Sequence, residues 1–127
     1  MAERSLADIF LDLAKQDALA FRKLADDTEV RDALVGFHAQ QAVEKALKSV
    51  LSRAGVVFRR THDIAELLDL IADSGLPEPP HAEWLDELTP YAVEMRYGLI
   101  DPGALDRQQT LARLADLLEW APTALES

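Results

Sequence analysis

The sequence predicts an all-α fold, an antiparallel up-and-down bundle of four to five helices. Alanine and leucine, both good helix formers, dominate its apolar residues. Val, Ile and Thr are sparse and never alternate with polar residues over a strand-length window, so no strand is expected. Apolar positions recur three and four apart in stretches bounded by glycine and proline, and short connections between such stretches make neighbouring helices antiparallel.

Ser5 is the expected N-cap of the first helix. Leu6, Ile9, Phe10, Leu13, Ala20, Phe21 and Leu24 mark its inward face through about residue 25, where Asp26-Asp27-Thr28 ends it. The second helix is expected from about Glu29 to Ala54, with Leu34, Phe37, Leu47 and Leu51 along a seam widened by Val43 and Val50, and Gly55 as its left-handed stop. After the short connection Val56 to Arg60, Thr61 reads as the N-cap of a third helix carrying Ile64, Leu67, Leu68 and Ile71 and ended by Gly75. Leu76-Pro77-Glu78-Pro79-Pro80 cannot continue a helix, because proline removes a donor and clashes with the preceding turn; an exposed loop is expected. Trp84, Leu85, Leu88, Ala92 and Met95 resume helical spacing across Pro90. Either Pro90 kinks one helix, or Thr89 caps a second piece that begins with Pro90. Asp101-Pro102-Gly103 separates this stretch from a last helix with Leu105, Leu111, Leu114, Leu117, Leu118 and Trp120 inward.

Composition excludes several function classes. The 127 residues, 49% of them apolar, suit one domain spanning 1–127 that buries a core without metal or disulfide staples. Cysteine is absent, which removes disulfides, thiolate zinc sites and cysteine nucleophiles together. The three histidines, at 38, 62 and 81, lack the spacing of a zinc site, and no HExxH occurs. No glycine-rich phosphate loop and no GxSxG elbow is present, so neither a metal nor a cofactor is expected. The acid pairs Asp26-Asp27 and Asp86-Glu87 read as helix-start and surface charge. No apolar run approaches the ~18 residues of a membrane span, and MAERSLADIF carries acids where a signal peptide is basic and then apolar, so a soluble cytoplasmic protein with no membrane partner is expected.

The net charge of −10 argues against a broad nucleic-acid-binding surface. That charge is unevenly spread. Between Ala33 and His62 stand Lys45, Lys48, Arg53, Arg59 and Arg60 against the single acid Glu44, which is +4 in all and leaves −14 on the other 97 residues. Such segregation suits one confined site for a phosphate-bearing ligand; equally, these are solvated faces of a helix whose C-terminal end favours cations.

Within that segment His38, Gln41, Lys45 and Lys48 fall on one helix face at spacings of three and four. A helix serving only the core would carry Leu or Ala at Gln41. The stripe is therefore either a buried polar network or an interface or ligand face. His62 reads either as a neighbour of the third helix's N-cap or, with Arg59 and Arg60 before it, as a phosphate contact at a helix N-terminus. Arg96 and Tyr97 read either as a dipole contact and a half-buried ring, or as an arginine aimed at phosphate or a partner carboxylate.

FHAQQAVEKALKSVL, then THDIAELLDLI and YAVEMRYGL, resemble the HEPN domain family, small helical proteins found with or fused to minimal nucleotidyltransferases. The resemblance runs from about Ser5 to Leu118. It implies a HEPN-like up-and-down bundle, usually a homodimer, linked to nucleotide binding, toxin–antitoxin modules and RNA cleavage. The family's ribonucleases use an arginine, four to six intervening residues and a histidine, joined across the dimer. Arg96 matches the arginine, but positions 101 to 103 read Asp101, Pro102 and Gly103, and no histidine follows His81. Metal-independent RNA cleavage needs a proton-transfer group that works near neutral pH, which an aspartate replaces poorly.

The resulting expectation is a non-catalytic homodimeric module that binds a nucleotide or other phosphate ligand and works with a separately encoded minimal nucleotidyltransferase. The alternatives are an RNA-cleaving protein using His62 or His38 with Arg96, and a purely structural dimer whose polar stripe meets its symmetry mate.

Overall fold

A computed structural model describes residues 4–94 and 105–126, apart from the side chains of residues 93 and 94. Every regular element among the described residues is helical: α1 (Leu6–Ala25), α2 (Asp32–Arg53), α3 (Ile64–Asp73), α4 (Ala82–Leu85), α5 (Tyr91–Glu94) and α6 (Arg107–Trp120), with 3₁₀ turns at Asp86–Leu88 and Ala121–Thr123. This is the predicted all-α bundle. Four helices have ten residues or more, and the stretch across Pro90 is broken into single turns.

The long hairpin of α1 and α2 is the frame. Ser5 Oγ accepts from the Asp8 N–H and starts α1 as expected. The hairpin is antiparallel: Ala7 and Asp8 lie beside Ser49 and Arg53, and Asp17 lies beside His38 and Lys45. Helix α2 also touches α3, α5, α6 and both 3₁₀ turns, and α6 packs on α1 as well. From Ala42 to Leu51 every residue of α2 except Lys45 is buried, which makes it the central rod of the molecule.

The inward face of α1 differs from the prediction. Ala7, Leu11, Ala14 and Phe21 are buried, whereas Leu6, Ile9 and Leu13 are 59%, 40% and 43% exposed. Alanine scores weakly as an apolar residue, but on both α1 and α2 it lines the core and lets two helices approach closely. Leu34 of α2, expected in the seam, is likewise 42% exposed.

Helix boundaries move by a few residues. Helix α2 starts at Asp32 rather than near Glu29. It ends where predicted, with Gly55 at φ +75°, and Gly75 at φ +72° closes α3. Asp63, not Thr61, caps α3, its carboxylate accepting from the Ala65 N–H at 3.0 Å. Thr61 Oγ1 instead accepts from the Asp63 N–H. A second helical piece, α5, does begin just after Pro90, with the Thr89 carbonyl accepting from the Ala92 N–H at 3.0 Å; the Thr89 hydroxyl, however, accepts from the Ile64 N–H at 3.2 Å and so completes the start of α3 from a distance. In the proline loop Pro77 and Glu78 are exposed as predicted, whereas Pro79 is buried and Pro80 half-buried against the bundle. Asp106 caps α6, accepting from the Gln109 N–H. Met95 and the Asp101-Pro102-Gly103 break lie outside the described residues.

Arg107, the first residue of α6, closes the α1–α2 turn. Its guanidinium donates to the carbonyls of Leu24, Ala25, Asp27 and Val30 and pairs with Asp32 at 2.9 Å. One cation thereby satisfies the carbonyl end of α1 and fixes the first turn of α2.

Gly36 sits mid-helix, where alanine would ordinarily gain about 1 kcal/mol. A Cβ there would lie inside the Tyr91 ring, which packs directly on the Gly36 backbone. Gly36→Ala is therefore expected to destabilise the protein by about 1–3 kcal/mol in urea unfolding. A gain in stability would show that α5 does not rest on α2 at this point.

Candidate functional site

Because α2 is enclosed, its polar residues need internal partners. Gln40, Glu44, Lys48 and Ser49 are all buried, and a buried polar group without a hydrogen bond costs stability. Ser49 Oγ donates to the Ala7 carbonyl at 2.9 Å. Gln40 and Lys48 converge on the Glu44 carboxylate.

Glu44 is 4% exposed. Its Oε1 accepts from Gln40 Nε2 at 3.1 Å and meets His62 Nδ1 at 2.8 Å, while Oε2 accepts from Lys48 Nζ at 2.9 Å. Gln40 Nε2 also donates to the His62 carbonyl at 3.1 Å, and Gln40 Oε1 accepts from Gln41 Nε2 at 2.7 Å. Burial pushes the Glu44 carboxyl up, but hydrogen bonds from Lys48, His62 and Gln40 outweigh it and hold the group below the ordinary glutamate value. Glu44 is thus ionised at neutral pH and can only accept.

That fixes the chemistry of His62. A carboxylate that only accepts requires Nδ1 of His62 to carry a proton, so in the neutral ring Nε2 is the bare nitrogen. The His62 side chain is 66% exposed, and Nε2 makes no hydrogen bond among the described residues. One edge of the imidazole is anchored in the core and the other is presented to solvent.

A second cluster surrounds Asp17 of α1. Its Oδ1 meets His38 Nδ1 at 3.1 Å and its Oδ2 accepts from Lys45 Nζ at 2.6 Å. The predicted stripe therefore divides: His38 and Lys45 turn to α1, and Lys48 turns with His62 to Glu44. Gln41 joins the second group through Gln40.

Two of the three remaining cations are met in space by acids from elsewhere in the chain. Arg53 pairs with Asp8 at 3.1 Å, and Arg59 forks onto Glu66 with its closest contact at 2.6 Å. Arg59 holds Glu66 below the ordinary glutamate value. Arg60 is exposed and makes no ion pair or hydrogen bond among the described residues. The +4 of the linear segment is thus largely neutralised in three dimensions, with Arg60 the cation left over. The start of α3 is also closed, since Asp63 and Thr89 occupy its first N–H groups. His62 neither caps that helix nor stands with free helix donors; its ring belongs to Glu44. Arg96 and Tyr97 lie outside the described residues.

Sequence reading missed Gln40, Glu44 and Asp17. The signal for Glu44 is its placement four residues before Lys48 and four after Gln40, the spacing at which side chains meet on a helix. Asp17 is marked by standing in line with Leu13 and Ala20 on an otherwise apolar face. Among the described residues no group of three or more His, Cys, Asp or Glu side chains is arranged to hold a metal ion, and no helix is long and apolar enough to cross a membrane.

The domain is an α-helical bundle built on a long antiparallel hairpin, in which an exposed His62 before the third helix reaches the buried Glu44–Lys48 pair. The HEPN domain family matches residues 7–123, and the chain belongs to that family. No curated protein and no solved structure matches it.

Glu44→Gln places an amide N–H₂ against donors. A loss of about 3 kcal/mol at pH 7 is expected, typical of breaking a buried charged pair. Glu44 in the folded protein titrates below its ordinary 4.5, so its stabilisation is complete above that pH and is lost as pH falls through the lower folded value. Urea unfolding should show the gap between wild type and variant shrinking below pH 4.5. A gap that widens in acid would contradict the assignment.

Proposed function

We propose that this HEPN chain is a non-catalytic, homodimeric module that binds a nucleotide or other phosphate-bearing ligand. In this reading it acts with a separately encoded minimal nucleotidyltransferase, in a toxin–antitoxin or related system. The supporting observation is the presentation of His62: Glu44 fixes Nδ1, Nε2 is left without a partner, and the uncompensated Arg60 lies two residues away. An imidazolium donates from both nitrogens, so Glu44 takes one proton and a phosphate oxygen takes the other. Arg60 supplies a second cation that pairs with no acid among the described residues. The family membership supports the phosphate chemistry, and the departure from the ribonuclease motif after Arg96 supports the non-catalytic role.

Titration with pyrophosphate and with ATP, followed through backbone amide resonances, tests this. Shifts are expected at residues 59 to 63, and Arg60→Ala and His62→Ala should each weaken binding about tenfold, the size of one charge-assisted hydrogen bond. An absence of shifts at millimolar ligand would overturn the reading.

The same dyad favours one competing reading, RNA cleavage. A buried carboxylate behind an exposed imidazole is how a general base is held, and Arg96 would then stabilise the phosphate. On the non-catalytic reading, highly purified protein leaves single-stranded RNA intact. Cleavage abolished by both His62→Ala and Arg96→Ala would establish the enzyme instead, and cleavage indifferent to both would mark contamination.

A further inference from the structure

The acidic charge of the chain is as concentrated as the basic charge. Residues 61–95 contain nine Asp and Glu and no Lys or Arg. Most of that stretch builds α3, the proline loop and α4, and between these elements lies a cavity of about 430 Å³, within the size range of ligand pockets. Its apolar lining is supplied by the buried Ile71 and the half-buried Leu68 and Leu76. Around it stand Asp69, Glu78, Glu83 and Asp86, none of which forms an ion pair among the described residues. The contrast with the α1–α2 hairpin is sharp, because there Asp8, Asp12 and Asp17 each face a cation.

We infer that this groove is a docking site for a cationic amphipathic segment of a partner protein, one that carries Leu-sized side chains toward the floor and Lys or Arg toward the rim. Two features select that occupant. Four uncompensated carboxylates around one opening repel acidic partners and attract basic ones, so complementarity sets the sign. The apolar floor asks for aliphatic side chains between the charges, which is the helix-in-groove pattern of anchors at three- and four-residue spacing. A simple polyamine offers the charge without the aliphatic bulk. The cavity shares no lining residue with the Glu44–His62 network or with Arg60, so this inference stands apart from the phosphate reading.

A dye-labelled 14-residue peptide with Leu and Lys at amphipathic helical spacing is the probe, measured by fluorescence anisotropy against the full chain. A second peptide of identical composition, scrambled to destroy the apolar face, is the control. The patterned peptide is expected to bind at least tenfold tighter than the scrambled one. The double variant Asp69→Lys/Glu83→Lys, at two exposed positions outside the core, should abolish that preference while Arg60→Ala leaves it unchanged. Equal binding of both peptides would reduce the groove to bulk charge attraction and overturn the proposal. Equally contrary would be binding that survives the double variant, displacement by stoichiometric spermine, or self-association of the free protein that the double variant abolishes.

Discussion

A carboxylate enclosed near the middle of the central helix constrains everything around it. Glu44 cannot be left alone in a low-dielectric interior, because an ion there without partners costs several kcal/mol. Three donors from two parts of the chain answer it: Gln40 and Lys48 from the same helix, one turn away on either side, and His62 from the approach to α3. The two helical partners come with the helix itself. The third does not, and recruiting it ties the loop after α2 back onto that helix. The Gln40 amide reinforces the tie by donating to the His62 carbonyl as well.

From that tie follow the position of α3 and the exposure of the imidazole. Asp63 and Thr89 complete the start of α3, so the stretch across Pro90 is also bound to this corner. Arg107 does the corresponding work at the other end of the hairpin, where it closes the α1–α2 turn. The bundle is therefore fixed at the first turn of α2 and again near its middle by charged groups that satisfy backbone carbonyls or one another, with the alanine-rich contact between α1 and α2 beside them.

Much of the fold was legible in the sequence. Ser5, Gly55 and Gly75 marked their boundaries because caps and left-handed stops are local chemistry. The inward face of α1 was not legible, since close packing through Ala7 and Ala14 outweighs the larger side chains of Leu6, Ile9 and Leu13. The Thr89 side chain was not legible for a similar reason: its hydroxyl serves a helix 25 residues away. At the site, residue types were a good guide and partners were not. Lys45, Lys48, Arg53 and Arg59 formed a basic run on paper, yet Asp17, Asp8 and Glu66 arrive from other elements to meet three of them, while Glu44, counted only as a subtraction, is the centre of the network.

The proton on His62 Nδ1 is what couples the imidazole to Glu44. Long-range ¹H–¹⁵N correlation of the imidazole rings, recorded where the ring is neutral, reads the tautomer directly. A proton held on Nδ1 with Nε2 bare is the predicted result. A ring carrying its proton on Nε2, or averaging freely between the two as in an unstructured peptide, would contradict the claim that Glu44 organises this site.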